Sequence, residues 1–364
     1  MSHASENADR TRVLIVDDSA FMRTALARMI ASEPDMEVAG TACCAHDALE
    51  KIASLDPEVV TLDVSMPGMD GLGVLRRVMA QCPRPVIMVS AATERDAETT
   101  FAALSAGAFD CVPKQLSPSS LEISHIRADL IAKIRSAAQS HRSRSAARAE
   151  KKPPQSISVL QLTSGSAAPA IVAIGISTGG PRALEQIMPR FPAALPVPIL
   201  IVQHMPVGFT RSFAERLNKL SALKVCEGSH RELIRSGAAY IAPAGLQMRV
   251  ARRLSDAKVI LNIEHHPKDA EHTPSVDVMM NSVAQIFGDR AVGVIMTGMG
   301  SDGLEGMTAI SREGGLTIGQ DEASCLVYGM PRACAERGVL SRVVPLTDIP
   351  THIVHAVSRR RRPA

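Results

Sequence analysis

Asp17 and Asp18, Asp63, Ser90 and Lys114 all fall at the ends of short apolar runs in the first third of the sequence. These runs are RVLIVDD (12–18), VVTLD (59–63), PVIMVS (85–90) and a segment near 109–113 that Lys114 follows directly after Pro113. Carboxylates drawn together repel one another and need a cation, and oxygen ligands suit Mg2+. A metal beside Asp63 would neutralise an incoming phosphoryl group. Lys114 would add positive charge there, and the Ser90 hydroxyl would donate to a phosphoryl oxygen. Asp63 would then be a carboxylate nucleophile that forms an acyl phosphate. A lone Asp17–Asp18 pair reads as a helix cap; finding all four strand ends so furnished argues for the pocket.

A second set begins at residue 170. AIVAIGISTGGP (170–181) is a strand, a glycine turn and a helix opened by Pro181, and GISTG satisfies G-x-S-x-G. Ser177 would stand at the carboxyl end of its strand, facing the N–H groups of a helix N-terminus that suit a developing oxyanion. A serine alcohol needs a base. ILIVQH (199–204) ends in His204, and GVIMTGMGSDG (293–303) leads into a glycine turn that holds Asp302, a carboxylate able to fix the imidazole tautomer. Singly these residues read as a chance motif, one of 11 histidines and a turn aspartate. Together, at three strand ends, they read as nucleophile, base and orienting acid. Asp277 sits where a helix begins and reads as a helix cap. His265, His266 and His272 lie in a polar loop with no common zinc spacing.

The elements that must position these residues alternate between strand and helix, which predicts parallel sheets covered on both faces. In the first part, strands are expected at 12–18, 36–42, 59–63, 85–90 and 109–113. Helices are expected after Ser19 as N-cap, near 46–55, up to about 80, near 95–106 and from 119 to 139. Residues 140 to about 169, rich in Ser, Arg, Ala and Pro, read as an exposed linker, with partial helix at its start as an alternative. Alternation resumes with strands at 170–176, 198–203, 238–242, 258–263 and 292–296, and helices at 181–189, 209–220, 275–287 and 303–313. A chain of 364 residues is long enough for two such domains.

Aromatics are 2% of the chain, with no Trp, so the cores must be aliphatic and stacking platforms for single-stranded nucleic acid are scarce. Net charge is +3, and the basic excess is confined to 141–152 and to Arg359–Arg362. Seven scattered cysteines without a C-x-x-C pair fit a reducing cytoplasm. The polar start carries no signal-peptide pattern, and no run is long and apolar enough to insert in a membrane.

LIVDDS, LDVSMPGMDG, MVSA and GAFDCVPK, spread over 11–137, resemble the receiver domain of two-component response regulators. The resemblance implies a flavodoxin-like fold with Asp63 as the phosphorylated residue. It further implies Mg2+ held directly by Asp18, Asp63 and the Ser65 carbonyl and through water by Asp17, with Ser90 and Lys114 on the phosphoryl group. Cys111 stands where receivers often carry an aromatic switch residue. GISTGGP, VQHMPVGFTRSFAERLN, YIAPAG, PSVDV and MTGMGSDGLEGM resemble the catalytic domain of the chemotaxis methylesterase (CheB) family over 170–358. Here the resemblance implies a Rossmann-like domain with the triad Ser177, His204 and Asp302. Thr178 and Met299 match active-site positions that help to hold the oxyanion, and Gln247 stands where relatives often carry His. With 138–169 as linker, the expected whole is a cytoplasmic, monomeric protein-glutamate methylesterase and protein-glutamine deamidase. It would act on chemoreceptors and be phosphorylated by a chemotaxis histidine kinase; the unphosphorylated receiver would cover the active site. Ester hydrolysis would need no cofactor, and neither nucleic acid nor membrane would be a partner.

Two other readings of the residues remain at this point. One is a small-ester hydrolase using Ser177, Asp302 and a late His352 or His355. The other is a regulator whose 175–180 loop binds a phosphate-bearing ligand, although that loop lacks the Lys of a P-loop. A DNA-binding output lacks a basic recognition helix after the linker.

Overall fold

A computed structural model describes residues 10–90, 94–114, 120–149, 170–267 and 272–358. The chain divides into two compact units, Met1–Pro153 and Pro154–Ala364.

The first unit runs β1 (Thr11–Val16), α1 (Ala20–Ala31), β2 (Met36–Ala42), α2 (Ala45–Leu55), β3 (Val59–Asp63), α3 (Gly71–Gln81), β4 (Val86–Ser90), α4 (Glu94–Ala106), β5 (Asp110–Pro113) and α5 (Ser120–Ala149). Its five strands lie in the order β2-β1-β3-β4-β5, and every pair is parallel. β3 and β4 are buried along their whole length, as central parallel strands with helices on both faces must be, which is why they read as unbroken apolar runs. Ser19 caps α1, its hydroxyl accepting from Met22 N–H. α5 runs ten residues past the expected end at 139. Its buried face, with Leu130, Ile131, Ile134, Ala137 and Ala138, covers the sheet. The extension is tied down by Arg142, which bonds Glu58 Oε2 at 2.9 Å and Thr11 Oγ1 at 3.1 Å.

The second unit runs β6 (Ile171–Ile176), α6 (Gly180–Ile187), β7 (Ile199–Gln203), α7 (Thr210–Leu220), β8 (Lys224–Glu227), β9 (Ala238–Ile241), β10 (Gln247–Arg252), β11 (Val259–Glu264), α8 (Val276–Phe287), β12 (Ala291–Ile295), α9 (Leu304–Arg312), β13 (Leu316–Gln320), α10 (Met330–Glu336), β14 (Arg342–Val344) and α11 (Ile349–Ser358). Seven strands form a parallel sheet in the order β14-β13-β12-β6-β7-β9-β8. The segment 258–263, expected as one more strand in the alternation, instead pairs antiparallel with β10 as a separate ribbon. α8 closes one face over β6 and β10, burying Val276, Met279, Met280 and Val283.

In each sheet the order of connection switches sides at a central pair of strands. In the first the switch lies between β1 and β3, and in the second between β6 and β12. The crevice at the carboxyl ends of strands flanking such a switch point is where open α/β sheets bind ligands.

Candidate active site

At the switch point of the first sheet, Asp17 follows β1 and Asp63 ends β3, both essentially buried, while Asp18 is exposed. Asp17 Oδ1 accepts from Ser19 N–H at 2.9 Å, and Asp63 Oδ1 accepts from Ser65 N–H at 3.0 Å. Lys114 Nζ reaches Asp63 Oδ2 at 2.6 Å and Asp17 Oδ2 at 3.1 Å. Both of those oxygens are buried, and the Lys114 ammonium is what compensates them. Burial pushes the Asp63 carboxyl above its ordinary range; Lys114 and Ser65 N–H offset only part of that rise.

One ligand atom from each of Asp17, Asp18 and Asp63 lies within 4.8 Å of the others, a hard-oxygen set that fits Mg2+. Among the described residues no other His, Cys, Asp or Glu group is so arranged, and His265, His266 and His272 are not brought together as a metal site. Ser90 ends β4, fully buried, and its hydroxyl accepts from Thr100 Oγ1 at 3.0 Å. Lys114 N–H donates to the Ser90 carbonyl at 2.7 Å, which fixes the two residues side by side. Cys111 is buried, and burial pushes its thiol up to about 12.

In the second sheet, Ser177 follows β6, His204 follows β7 and Asp302 lies in the loop after β12. His204 N–H donates to the Ile176 carbonyl at 3.1 Å, and Ser177 N–H donates to the Thr297 carbonyl at 3.0 Å, so the three loops are laced together by main chain. His204 Nε2 lies 2.8 Å from Asp302 Oδ2. That contact commits Nε2 and leaves Nδ1 as the nitrogen able to exchange a proton. The His272 ring stacks on His204, with centroids 4.3 Å apart and planes tilted by 31°. The rival histidines stand elsewhere. His352 Nδ1 pairs with Arg342 Nη1 at 2.9 Å on α11, and His355 is exposed there.

Asp302 is gripped by donors on both oxygens. Oδ2 accepts from Val276 N–H at 2.7 Å as well as facing His204; Oδ1 accepts from Ser275 Oγ at 2.9 Å and Asp277 N–H at 3.0 Å. Its carboxylate therefore sits on the N-terminus of α8, where backbone N–H groups and the helix dipole favour an anion. Burial alone would raise this carboxyl, but His204 and the Asp277 and Val276 N–H groups hold it well below the usual carboxylate range.

Asp277 was expected to cap the helix that it begins. The cap of α8 is instead Ser275, whose hydroxyl accepts from Val278 N–H. Asp277 turns to the other helix, and its Oδ1 accepts from Gly306 N–H, in the first turn of α9, at 2.7 Å. The two helices thus exchange caps: the loop before α9 supplies Asp302 to α8, and α8 supplies Asp277 to α9. Burial, reinforced by the Asp302 charge, pushes the Asp277 carboxyl up to about 6 against the Gly306 bond.

Gln247 is fully buried. It accepts from Ser275 N–H at 2.8 Å and donates to the His272 carbonyl at 2.8 Å, so it braces the segment that carries both His272 and the α8 cap. Thr178 is buried, and its carbonyl accepts from Thr297 Oγ1 at 2.9 Å; Met299 lies half-buried in the Asp302 loop.

Sequence reasoning missed Ser275, Thr297 and the structural part played by Gln247. Pro-Ser directly before an apolar helical period was the available signal for Ser275. Thr297 carried none, because its hydroxyl acts across loops distant in the chain.

Residues 172–353 match the family model described as CheB methylesterase, and residues 13–125 match that of the response regulator receiver domain. The protein-glutamate methylesterase/protein-glutamine glutaminase of Pyrococcus abyssi is 43% identical over 97% of this chain and 95% of its own length. That of Symbiobacterium thermophilum is 45% identical over 95% of this chain and 97% of its own. Among solved structures, the CheB methylesterase catalytic domain of Thermotoga maritima is 38% identical. It covers 52% of this chain and 99% of its own, with a TM-score of 0.50.

Proposed function

The chain belongs to the CheB methylesterase family, and from that membership we propose that it is a serine-dependent protein-glutamate methylesterase and protein-glutamine deamidase, switched on by phosphorylation of its receiver. The observation that carries the hydrolase half is the His204–Asp302 contact of 2.8 Å beside Ser177 at the switch point of the second sheet.

In this reading the Asp302 carboxylate holds the imidazole with its proton on Nε2. Nδ1 then takes the Ser177 proton as Oγ attacks the ester carbonyl carbon of a methylated glutamate. The Thr178 backbone, at the entry to α6, and the Met299 loop receive the negative charge on the carbonyl oxygen. The C–OCH3 bond breaks, Nδ1 returns the proton to the departing methoxide, and methanol leaves. Water adds to the acyl-enzyme, giving a proton to Nδ1; as the Ser177–acyl bond breaks, Nδ1 returns that proton to Oγ and glutamate is released. The same steps applied to glutamine release ammonia.

In the receiver, an Asp63 oxygen attacks the phosphorus of a phosphohistidine, the P–N bond breaks, and an acyl phosphate forms. Mg2+, when bound by Asp17, Asp18, Asp63 and the Ser65 carbonyl, supplies the charge that neutralises the phosphoryl oxygens. Lys114 and Ser90 hold the phosphoryl group. In this reading the receiver, 11–137, and the catalytic domain, 170–358, are joined through 138–169, whose first residues continue α5. The substrates are cytoplasmic segments of chemoreceptors, the phosphodonor is a chemotaxis histidine kinase, and the protein works in the cytoplasm as a monomer.

The test is methanol release from methylated receptor membranes, with and without acetyl phosphate and Mg2+. Release that rises with phosphodonor and vanishes in Ser177→Ala supports both halves. Release indifferent to phosphodonor sinks the switch, and no release from folded protein sinks the esterase.

A further inference from the structure

Gln203, the last residue of β7, is a polar side chain in a strand that is otherwise aliphatic, and it is 1% exposed. Burying an amide is costly unless its groups are bonded. Its Nε2 donates twice, to the Ser177 carbonyl at 2.9 Å and to the His204 carbonyl at 2.8 Å. One NH2 group thus clamps the main chains of the two residues that must exchange a proton. Both N–H bonds point at carbonyls, which also fixes the amide the right way round.

The other end of the amide shows what keeps it there. Oε1 is buried and accepts no hydrogen bond. It rests against Gly180, where a Cβ would fall 1.8 Å from Oε1. Gly180 N–H in turn donates to the same Ser177 carbonyl at 2.8 Å. A slot closed by any larger residue would expel the amide, so the glycine at the start of α6 and the glutamine at the end of β7 are parts of one device.

We propose that Gln203 is a positioning residue that sets the separation of Ser177 from His204, and that Gly180 is glycine to make room for it. This inference rests on the hydrolase reading. The His204–Asp302 contact is made through Nε2 and does not use Gln203. Loss of the clamp should therefore leave the base paired with its acid while taking the nucleophile out of reach. Misplacement of reacting groups by about 1 Å costs about 10²-fold in rate.

The test uses the full chain in three forms: wild type, Gln203→Met, which keeps length and loses both donors, and Gly180→Ala, which keeps the amide and blocks its slot. The readouts are the rate of Ser177 labelling by a fluorophosphonate, kcat and KM for ester hydrolysis, and the downfield imidazole N–H proton resonance of the His204–Asp302 pair. Each variant should lose about 10²-fold in labelling and kcat with KM nearly unchanged and the resonance retained. Gly180→Ala combined with Gln203→Ala should be little slower than Gln203→Ala alone, because the clash with the amide is then gone and only Ile176 Cγ1, 2.9 Å from the new methyl, has to give. If Gln203→Met does not fold, Gly180→Ala decides. Variants labelled within threefold of a reactive wild type overturn the inference alone. A wild type that neither is labelled at Ser177 nor hydrolyses the ester overturns the hydrolase reading and this inference with it.

Discussion

Replacing Asp302 by Asn changes one oxygen to NH2 and removes a charge, and the surroundings show what each change costs. If the amide NH2 takes the Oδ2 place, it faces Val276 N–H and His204. The imidazole must then accept at Nε2 and carry its proton on Nδ1, so it is no longer a base for Ser177. If NH2 takes the Oδ1 place, the tautomer survives; the Ser275 hydroxyl can turn to accept, and Asp277 N–H loses its acceptor. In both orientations the imidazolium formed during attack loses its anion. Charge centres about 4 Å apart at an effective dielectric near 20 interact by about 4 kcal/mol, or roughly 10³ in rate. One orphaned backbone N–H costs a further 1–3 kcal/mol, roughly, of folding stability. The expected result is a fall in kcat of about 10³ with KM little changed, read by methanol release from methylated receptor membranes under saturating phosphodonor. Circular dichroism would confirm the fold. The Asp302 carboxyl is held below its usual range, so its contribution to stability is present above the unfolded value and lost only as pH falls through the lower folded one. Asp302 itself therefore stays ionised throughout the neutral range in which the rates are compared. A folded Asp302→Asn protein within tenfold of wild type would refute the assignment of this carboxylate as the orienting acid.

Asp63→Asn should leave basal esterase activity intact and abolish its stimulation by acetyl phosphate and Mg2+; stimulation that persists would sink the switch. Asp277 has a raised folded value, about 6, so its contribution to stability is present below its unfolded value and lost as pH rises through the folded one. Thermal midpoints should therefore fall between pH 4 and 6, roughly, in wild type and be flatter in Asp277→Asn, which can keep its acceptor for Gly306 N–H. Gly175→Ala would drive a methyl to within 2.3 Å of Val276 Cγ1, displacing the first turn of α8 and with it the Asp302 seat. A loss of about 1–3 kcal/mol in denaturant melts should accompany lowered activity. Gln247→Ala should loosen the segment bearing His272 and Ser275, lowering stability by about 1–3 kcal/mol, checked by the same melts.

The chemical positions stood out in the sequence because parallel strands buried on both faces are continuous apolar runs. A polar residue that ends such a run marks the strand's carboxyl end, as in VVTLD and ILIVQH. Two doubly wound sheets followed from the alternation, and the carboxyl ends named in each sheet meet at its switch point. The ribbon β10–β11 was not separable from the main sheet, since apolar strand periodicity does not name the partner or its direction. The reach of α5 was underestimated because a Ser-Arg-Ala stretch has no apolar period; what holds it is the tertiary pairing of Arg142 with Glu58. Asp277 and Ser275 both qualify as caps by type, and only the approach of α9 decides which helix each one serves. Gln203 was invisible inside an aliphatic strand, because its purpose lies in two carbonyls that the fold brings to it.

The exchange of caps between α8 and α9 has a bearing on how this enzyme can change over time. Active-site residues are often held at the expense of stability, so that replacing them yields a firmer, inactive protein, and drift toward robustness erodes function. Asp302 is placed the other way. The three contacts that aim it at His204 also tie the loop before α9 to α8, so in the proposed mechanism its loss weakens the fold as it stops the chemistry. Selection for folding alone would retain it. A trapped, substrate-bound form is better sought at Ser177, whose hydroxyl takes no part in that joint.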